Sequence, residues 1–274
     1  MESFERDGYV LVPDCFSAAE VELMKGELPA LFSENSPRRV AEVGGRVVRS
    51  VYGSHATNDV FRRVSRHPLL VEAARQLLDS EVYIYQFKIN AKAAFDGDVW
   101  EWHQDFIFWL KEDGMPAARV VNTAIFLDDI TEFNGPMFLI PGSHHEGVVA
   151  SRTAEEPQPA YSDSPDWINN LTAKIRYSVG HAEVERLATK YGLAAPKGRR
   201  GSVLFFDSNL VHASPANISP FNRAIVFITY NSVENVPTLG EDARPDFLVS
   251  RDSEPLVPFE TEALLSSHDG GPRG

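Results

Sequence analysis

Residue types able to do chemistry stand at three places in this chain. The first is "WEWHQDFIFW" (100–109), where His103 and Asp105 sit inside a run of five aromatic residues. An unpaired charge in so apolar a run is costly, so the two are either a satisfied core pair or ligands of a metal. On an extended segment, residues i and i+2 share a face. A His-x-Asp pair then presents an imidazole and a carboxylate side by side, two of the three donors in the facial triad that holds non-haem iron with positions left open. The second place is His212, which closes the apolar run "SVLFFDSNLVH" (202–212). The remaining histidines (His55, His67, His144, His145, His181 and His268) fall near turns, helix ends or the C-terminal tail. The third is Arg223, opening "RAIVFITYNSV" (223–233). A guanidinium leading into so apolar a strand needs an anionic partner, either an acidic side chain of the chain or a bound carboxylate held by two bonds.

The elements around these residues change character along the chain. "SAAEVELMKGELPALF" begins with Ser17 and has Glu20 three residues on, a capping-box pattern, with Pro29 expected to kink or divide the helix. "HPLLVEAARQLL" (67–78) is a second amphipathic helix. Beyond it, strands are expected at 82–90, 120–129, 135–143, 202–212 and 223–233, with 100–109 reading as a further buried strand. The turn sequences "FDGD", "EDGMP", "FNGP", "KGRRG" and "NISPF" separate them. Residues 151–197 form a long polar insertion with one helical stretch, "HAEVERLATKY". Helices first and short strands later suggest a β-sandwich or jelly roll buttressed by helices, in one domain.

Composition narrows the function classes. The 274 residues are 43% hydrophobic and 24% charged, with 26 basic against 39 acidic residues and a net charge of −13. Nucleic acid and anionic membrane surfaces are therefore poor partners, and an anionic ligand must be met by locally placed cations. The single Cys15 excludes a disulfide framework and a cysteine-rich metal site. No apolar run approaches a membrane span and the N-terminus lacks a signal pattern, so a cytoplasmic protein is expected.

Taken in order, "FERDGYVLVPDCFS", "WHQD", "FNGPMFLIPGSH" and "HASPANISPFNR" resemble the phytanoyl-CoA dioxygenase-like group of Fe(II)/2-oxoglutarate dioxygenases. Within it the look is closest to bacterial hydroxylases of small free amino acids, the leucine 5-hydroxylase type, and then to ectoine hydroxylases. The resemblance covers nearly the whole chain, to beyond "TYNSV". It implies a mainly β fold with a double-stranded β-helix (jelly-roll, cupin-like) core: a helical buttress over about 1–80, the core over about 82–233 with the 151–197 insertion, and a C-terminal lid or tail at 234–274. It implies His103, Asp105 and His212 as iron ligands, and Arg223 with Ser214, Asn90 and Asn122 as contacts of 2-oxoglutarate. Gln86, Phe106, Trp109, Phe206 and Phe227 would line the substrate space, and Arg244 would hold a substrate carboxylate; Lys88 and Arg49 are further residues near the cavity. Since Asp105 is present, hydroxylation is favoured over halogenation, which needs that coordination position vacated for a halide. The implied activity is hydroxylation of an unactivated C–H in a free aliphatic amino acid, leucine-like, in natural-product biosynthesis, using O2 and releasing succinate and CO2. The rivals are a hydroxylase of another small solute (ectoine-like or a cationic amino acid) and a non-catalytic β-helix binding module. The protein would be a monomer or homodimer.

Overall fold

In the computed structural model, which describes residues 1–149, 151–153, 166–169 and 171–259, twelve strands are seen. They are β1 (Tyr9–Val12), β2 (Arg39–Ala41), β3 (Val48–Tyr52), β4 (Val82–Lys92), β5 (Trp100–His103), β6 (Val120–Phe126), β7 (Phe138–Leu139), β8 (Ser151–Thr153), β9 (Tyr177–Val179), β10 (Val203–Asp207), β11 (His212–Ser214) and β12 (Arg223–Ser232). A seven-stranded sheet runs β1-β10-β6-β12-β4-β3-β2, a three-stranded sheet runs β5-β11-β7, and β8 pairs with β9. All the pairings are antiparallel.

The helices are α1 (Glu2–Asp7), α2 (Ala18–Ser33), α3 (Ser54–Thr57), α4 (Asp59–Val64), α5 (Pro68–Leu78), α6 (Phe106–Glu112), α7 (Asp166–Asn169) and α8 (His181–Tyr191). Ser17 and Glu20 form the expected capping box of α2. Pro29 does not divide that helix. It lies on the exposed side near the end, where the carbonyl it frees can hydrate. Val21, Met24, Leu28 and Leu31 of α2, with Leu70, Val71 and Ala74 of α5, pack on the outer face of the large sheet. Each such side chain contributes about 1.5–3 kcal/mol when fully buried.

The inner face of that sheet is set by one irregularity. Gln86 pairs with Thr229 and Ile84 with Tyr230, leaving Tyr85 as an extra residue in β4. Such a bulge shifts the parity of the strand. Val82 and Ile84 before it and Phe87 and Ile89 after it all face the helices. Gln86, Lys88 and Asn90 are thereby turned to the inner face, where Phe206 of β10 and Phe227 of β12 also lie.

Several expectations change. The strand at 100–109 stops at His103, and Phe106–Glu112 form α6 instead. The unbroken apolar stretch "FIFWL" (106–110) carries no period to separate the two outcomes. The 202–212 run divides into β10 and β11 around the turn at Ser208–Leu210, and 135–143 yields only the two residues of β7. The N-terminal region is not purely a helical buttress, since β1, β2 and β3 all join the large sheet. Parts of the expected insertion (154–165, 170) and of the tail (260–274) lie outside the described residues. Among the described residues, no helix is long and apolar enough to cross a membrane.

Candidate metal and co-substrate site

His103 at the end of β5 pairs directly with His212 at the start of β11, and their rings lie 4.2 Å apart. Asp105 comes not from the strand but from the residue before α6, in helical backbone conformation. It still reaches the same point. Its Oδ1 is 3.6 Å from His103 Nε2 and its Oδ2 is 3.9 Å from His212 Nε2. One donor atom from each of the three lies within 4.8 Å of the others, and all three residues are buried.

The proton inventory suits a cation. His103 Nδ1 lies 2.6 Å from the Glu101 carbonyl and His212 Nδ1 2.9 Å from that of Leu210. A carbonyl can only accept, so each ring carries a proton on Nδ1 and turns Nε2 inward. Burial, with His103 alongside, pushes the His212 pKa down to about 3, which keeps it neutral. For Asp105, burial opposes ionisation, but the Lys88 ammonium and the two imidazoles hold its pKa well below the usual range. Two neutral nitrogens and a carboxylate are the protonation states that metal binding requires. Donors about 2.1 Å from an octahedral ion stand roughly 3 Å apart, so the observed spacing is a slightly open form of that geometry. The donor set fits Fe(II).

Asn122 anchors this arrangement. Its Nδ2 donates to Asp105 Oδ2 at 2.9 Å, and its Oδ1 accepts from Thr229 at 2.7 Å. Its amide is thus placed on Asp105, and it lines neither cavity described below. Gln104, between the two ligands, ties this corner to the segment leading into the insertion and to the turn before β11. It donates to the carbonyls of Gly147 and Asn209 and accepts from the Val149 amide.

Two small adjoining cavities meet at the triad. The first, about 30 Å³, is walled by Asn90, Phe206, Ser214, Arg223 and Phe227 among others. Arg223 is 2% exposed and has no carboxylate within salt-bridge distance among the described residues. Its Nη2 donates to the Gly135 carbonyl and to Ser214 Oγ, the latter at 3.2 Å. Its Nε has no partner, and neither does Asn90 Oδ1, though both atoms are buried. Burial lowers the Arg223 pKa to about 10, with Asp128 acting in the other direction. Unsatisfied polar atoms of this kind are expected where a ligand completes the site.

The second cavity, about 40 Å³, is lined by Tyr52, Gln86, Lys88, Trp100, Trp109 and Leu171, together with Phe108, Arg244 and the triad's His103 and Asp105. Lys88 borders both cavities, its Nζ 5.2 Å from the Phe227 ring centroid, and no hydrogen bond or ion pair is seen for it among the described residues. Its place was legible in principle, because Gln86, Lys88 and Asn90 alternate. Phe106 belongs to the same buried cluster as Tyr85 and Met115 and borders neither cavity. Arg49 borders neither of them either. Only 1% exposed, it pairs with Glu42, stacks 3.7 Å from the Trp100 ring centre, and donates to the carbonyls of Val99, Leu171 and Thr172. Arg244 reaches the cavity edge with its guanidinium already engaged. Its Nε donates to Asp113 at 2.9 Å and its Nη2 to the other oxygen, and the Tyr85 hydroxyl donates to the same carboxylate. Burial works against its charge, but Asp113 holds the pKa above the ordinary value. A roomier cavity of about 530 Å³, walled by Arg66, Phe247, Arg251 and Leu256, contains none of the triad. Chemistry, not volume, marks the site.

The model of the phytanoyl-CoA dioxygenase (PhyH) family matches residues 4–225. The chain is 41% identical over 261 residues to the L-proline trans-4-hydroxylase of Streptomyces griseoviridis, covering 95% of each. It is 37% identical to the ectoine dioxygenase of Bordetella bronchiseptica, over 97% of this chain and 86% of that one. The crystal structure of EctD from S. alaskensis with 2-oxoglutarate and 5-hydroxyectoine superposes with a TM-score of 0.78 at 32% identity, covering 94% of this chain and 85% of that one. The same enzyme with bound Fe gives 0.77. With these likenesses extending over nearly its whole length, the chain belongs to the phytanoyl-CoA dioxygenase family.

Proposed function

We propose that this protein is an Fe(II)/2-oxoglutarate-dependent hydroxylase of a small free amino acid. The observation that carries the reading is the convergence of His103, Asp105 and His212 in metal-ready protonation states beside the buried, partly unsatisfied Arg223. These three residues would hold the iron. When bound, iron with 2-oxoglutarate and O2 supplies the oxidant that removes a hydrogen atom from an unactivated C–H and delivers oxygen to that carbon, with succinate and CO2 released.

The chain's own residues do the rest. Arg223 offers its unpartnered Nε to the distal carboxylate of the co-substrate, with Ser214 Oγ beside it. The amide of Asn90, whose oxygen is unpartnered, offers a further polar contact in the same cavity. On the other side of the triad, Tyr52, Trp100, Phe108 and Trp109 exclude water around an aliphatic side chain. Among the described residues lining this cavity, Lys88 is a cation without an ion-pair partner and would take the substrate carboxylate, whereas Asp113 already neutralises Arg244.

L-Proline is the first substrate to try, because the relative at 41% identity is a hydroxylase of that amino acid. Leucine remains a candidate of the same aliphatic class. Ectoine is the second reading, supported by the ectoine dioxygenase relatives and the fold likeness to EctD. The test is a panel of L-proline, L-leucine and ectoine with Fe(II), 2-oxoglutarate and O2, followed by mass spectrometry and succinate assay. The expected result is a mass gain of one oxygen, matched by succinate, for a free amino acid. Succinate release with no oxygenated product from any of the three would overturn the substrate assignment.

A further inference from the structure

Among the described residues, four border both cavities: His103, Asp105, Lys88 and Trp100. The Trp100 indole rests on a buried guanidinium, with Arg49 Cζ 3.7 Å from the ring centre. The five N–H groups of Arg49 face five acceptor oxygens. Nη1 donates to the two Glu42 oxygens at 3.0 and 3.1 Å, and Nε to the Leu171 carbonyl at 3.0 Å. Nη2 donates to the carbonyls of Val99 at 2.7 Å and Thr172 at 3.1 Å. Glu42 Oε1 also accepts from the Asp98 amide. Segments far apart in sequence thus meet on one side chain of β3. Two of the residues it holds, Trp100 and Leu171, are walls of the substrate cavity, although Arg49 borders neither cavity itself.

We propose that Arg49 is a positioning residue for the reaction: it fixes Trp100 and Leu171, and through them the place of the substrate C–H before the iron. The proposal rests on the hydroxylase reading and adds to it what keeps oxidation on the substrate. A desolvated cation over an aromatic face is among the stronger contacts that can hold a ring. Charge balance with Glu42 needs only an ammonium, but the stack and the three carbonyls need a planar fork. Trp100 is also in register with Ser214 across β5 and β11. Its backbone is thereby tied to the co-substrate side, while its ring is held by Arg49. A misplacement of about 1 Å at a reacting centre can cost on the order of 10²-fold in rate. A loosened wall would therefore let 2-oxoglutarate be consumed with the C–H out of reach.

Two variants separate this role from a structural one. Arg49→Lys keeps a cation opposite Glu42, and Arg49→Met with Glu42→Gln removes both charges, so neither leaves a buried carboxylate without its cation. The first readout is fluorine NMR of the full chain labelled with fluorotryptophan, free of iron and substrate, with the Trp100 line assigned through Trp100→Phe. That line is expected to be single in the wild type and to broaden or split in both variants, while the Trp109 line, assigned likewise, holds. The second is oxygenated product per succinate for the accepted amino acid, a ratio independent of how much enzyme is folded. It should fall roughly threefold or more in both variants. Ascorbate is included as reductant: a turnover that misses the C–H takes two electrons from it and releases water in place of the hydroxylated product. An unchanged ratio or an unchanged Trp100 line in either variant would overturn the proposal. In Arg49→Lys it would mean that a charge opposite Glu42 is all that Arg49 provides. A wild-type chain that oxygenates none of the panel would fail the hydroxylase reading instead, and the NMR lines would then decide on Arg49 alone.

Discussion

Lys88 and Arg244 are both cations at the substrate cavity, but their surroundings give them different work. Arg244 is locked to Asp113, whose carboxylate is 1% exposed and also accepts from Tyr85, and Glu112 stands 3.5 Å from its Nη1. Removing that guanidinium leaves a buried carboxylate without its cation. Arg244→Ala should therefore destabilise the fold by about 3–5 kcal/mol. Lys88 makes no ion pair among the described residues and only helps at a distance to keep Asp105 ionised, so Lys88→Met should lose less stability than Arg244→Ala. It should instead weaken amino-acid binding by roughly 2 kcal/mol or more, about thirtyfold. Calorimetric melting and KM for the accepted amino acid, measured on both variants, separate the roles. A stable Arg244→Ala with raised KM, beside a Lys88→Met with normal KM, would return the carboxylate to Arg244.

At the scale of elements, placement of the site depends on two local breaks. The bulge at Tyr85 turns Gln86, Lys88 and Asn90 inward, and the end of β5 at His103 lets Asp105 approach from the start of α6. The residues of the triad were legible in the sequence because imidazole and carboxylate groups are rare inside apolar runs. The breaks were not. Both faces of β4 are buried around Tyr85, so hydrophobicity does not register a change of parity there, and "WEWHQDFIFW" reads equally well as strand or helix. The Arg244–Asp113 pair was not legible for another reason: the two residues lie 131 positions apart, and such pairings leave no local signal. Arg49 is a long-range clasp of the same kind, joining Glu42, the residue before β5 and the middle of the insertion at Leu171 and Thr172. Arg49→Met keeps the side chain's bulk but leaves Glu42 and three carbonyls without their donor. Hydrogen exchange followed by mass spectrometry should then show faster exchange over 171–179 than in wild type. Unchanged protection there would mean that the insertion is held by other contacts.

Across the whole molecule, the electrostatics run opposite to the local chemistry. A net charge of −13 disfavours a dianionic co-substrate at long range. At the co-substrate cavity the sign reverses: Arg223 and Lys88 line it, and Lys92, paired with Arg223 across the sheet, is buried just behind. Burial first, then the charges of Arg223 and Arg49, pushes the Lys92 pKa down to about 6. A bound dianion beside the triad would relieve the shortage of negative charge that these groups share. The central claim is that His103, Asp105 and His212 bind iron and that Arg223 then secures 2-oxoglutarate. Equilibrium dialysis of Fe(II) and 2-oxoglutarate under nitrogen tests it without relying on turnover. The wild-type chain should retain close to one iron and one co-substrate; His212→Ala should lose the iron, and Arg223→Ala should keep the iron but lose most of the 2-oxoglutarate. Stoichiometric iron retained by His212→Ala, or undiminished 2-oxoglutarate binding by Arg223→Ala, would contradict the account.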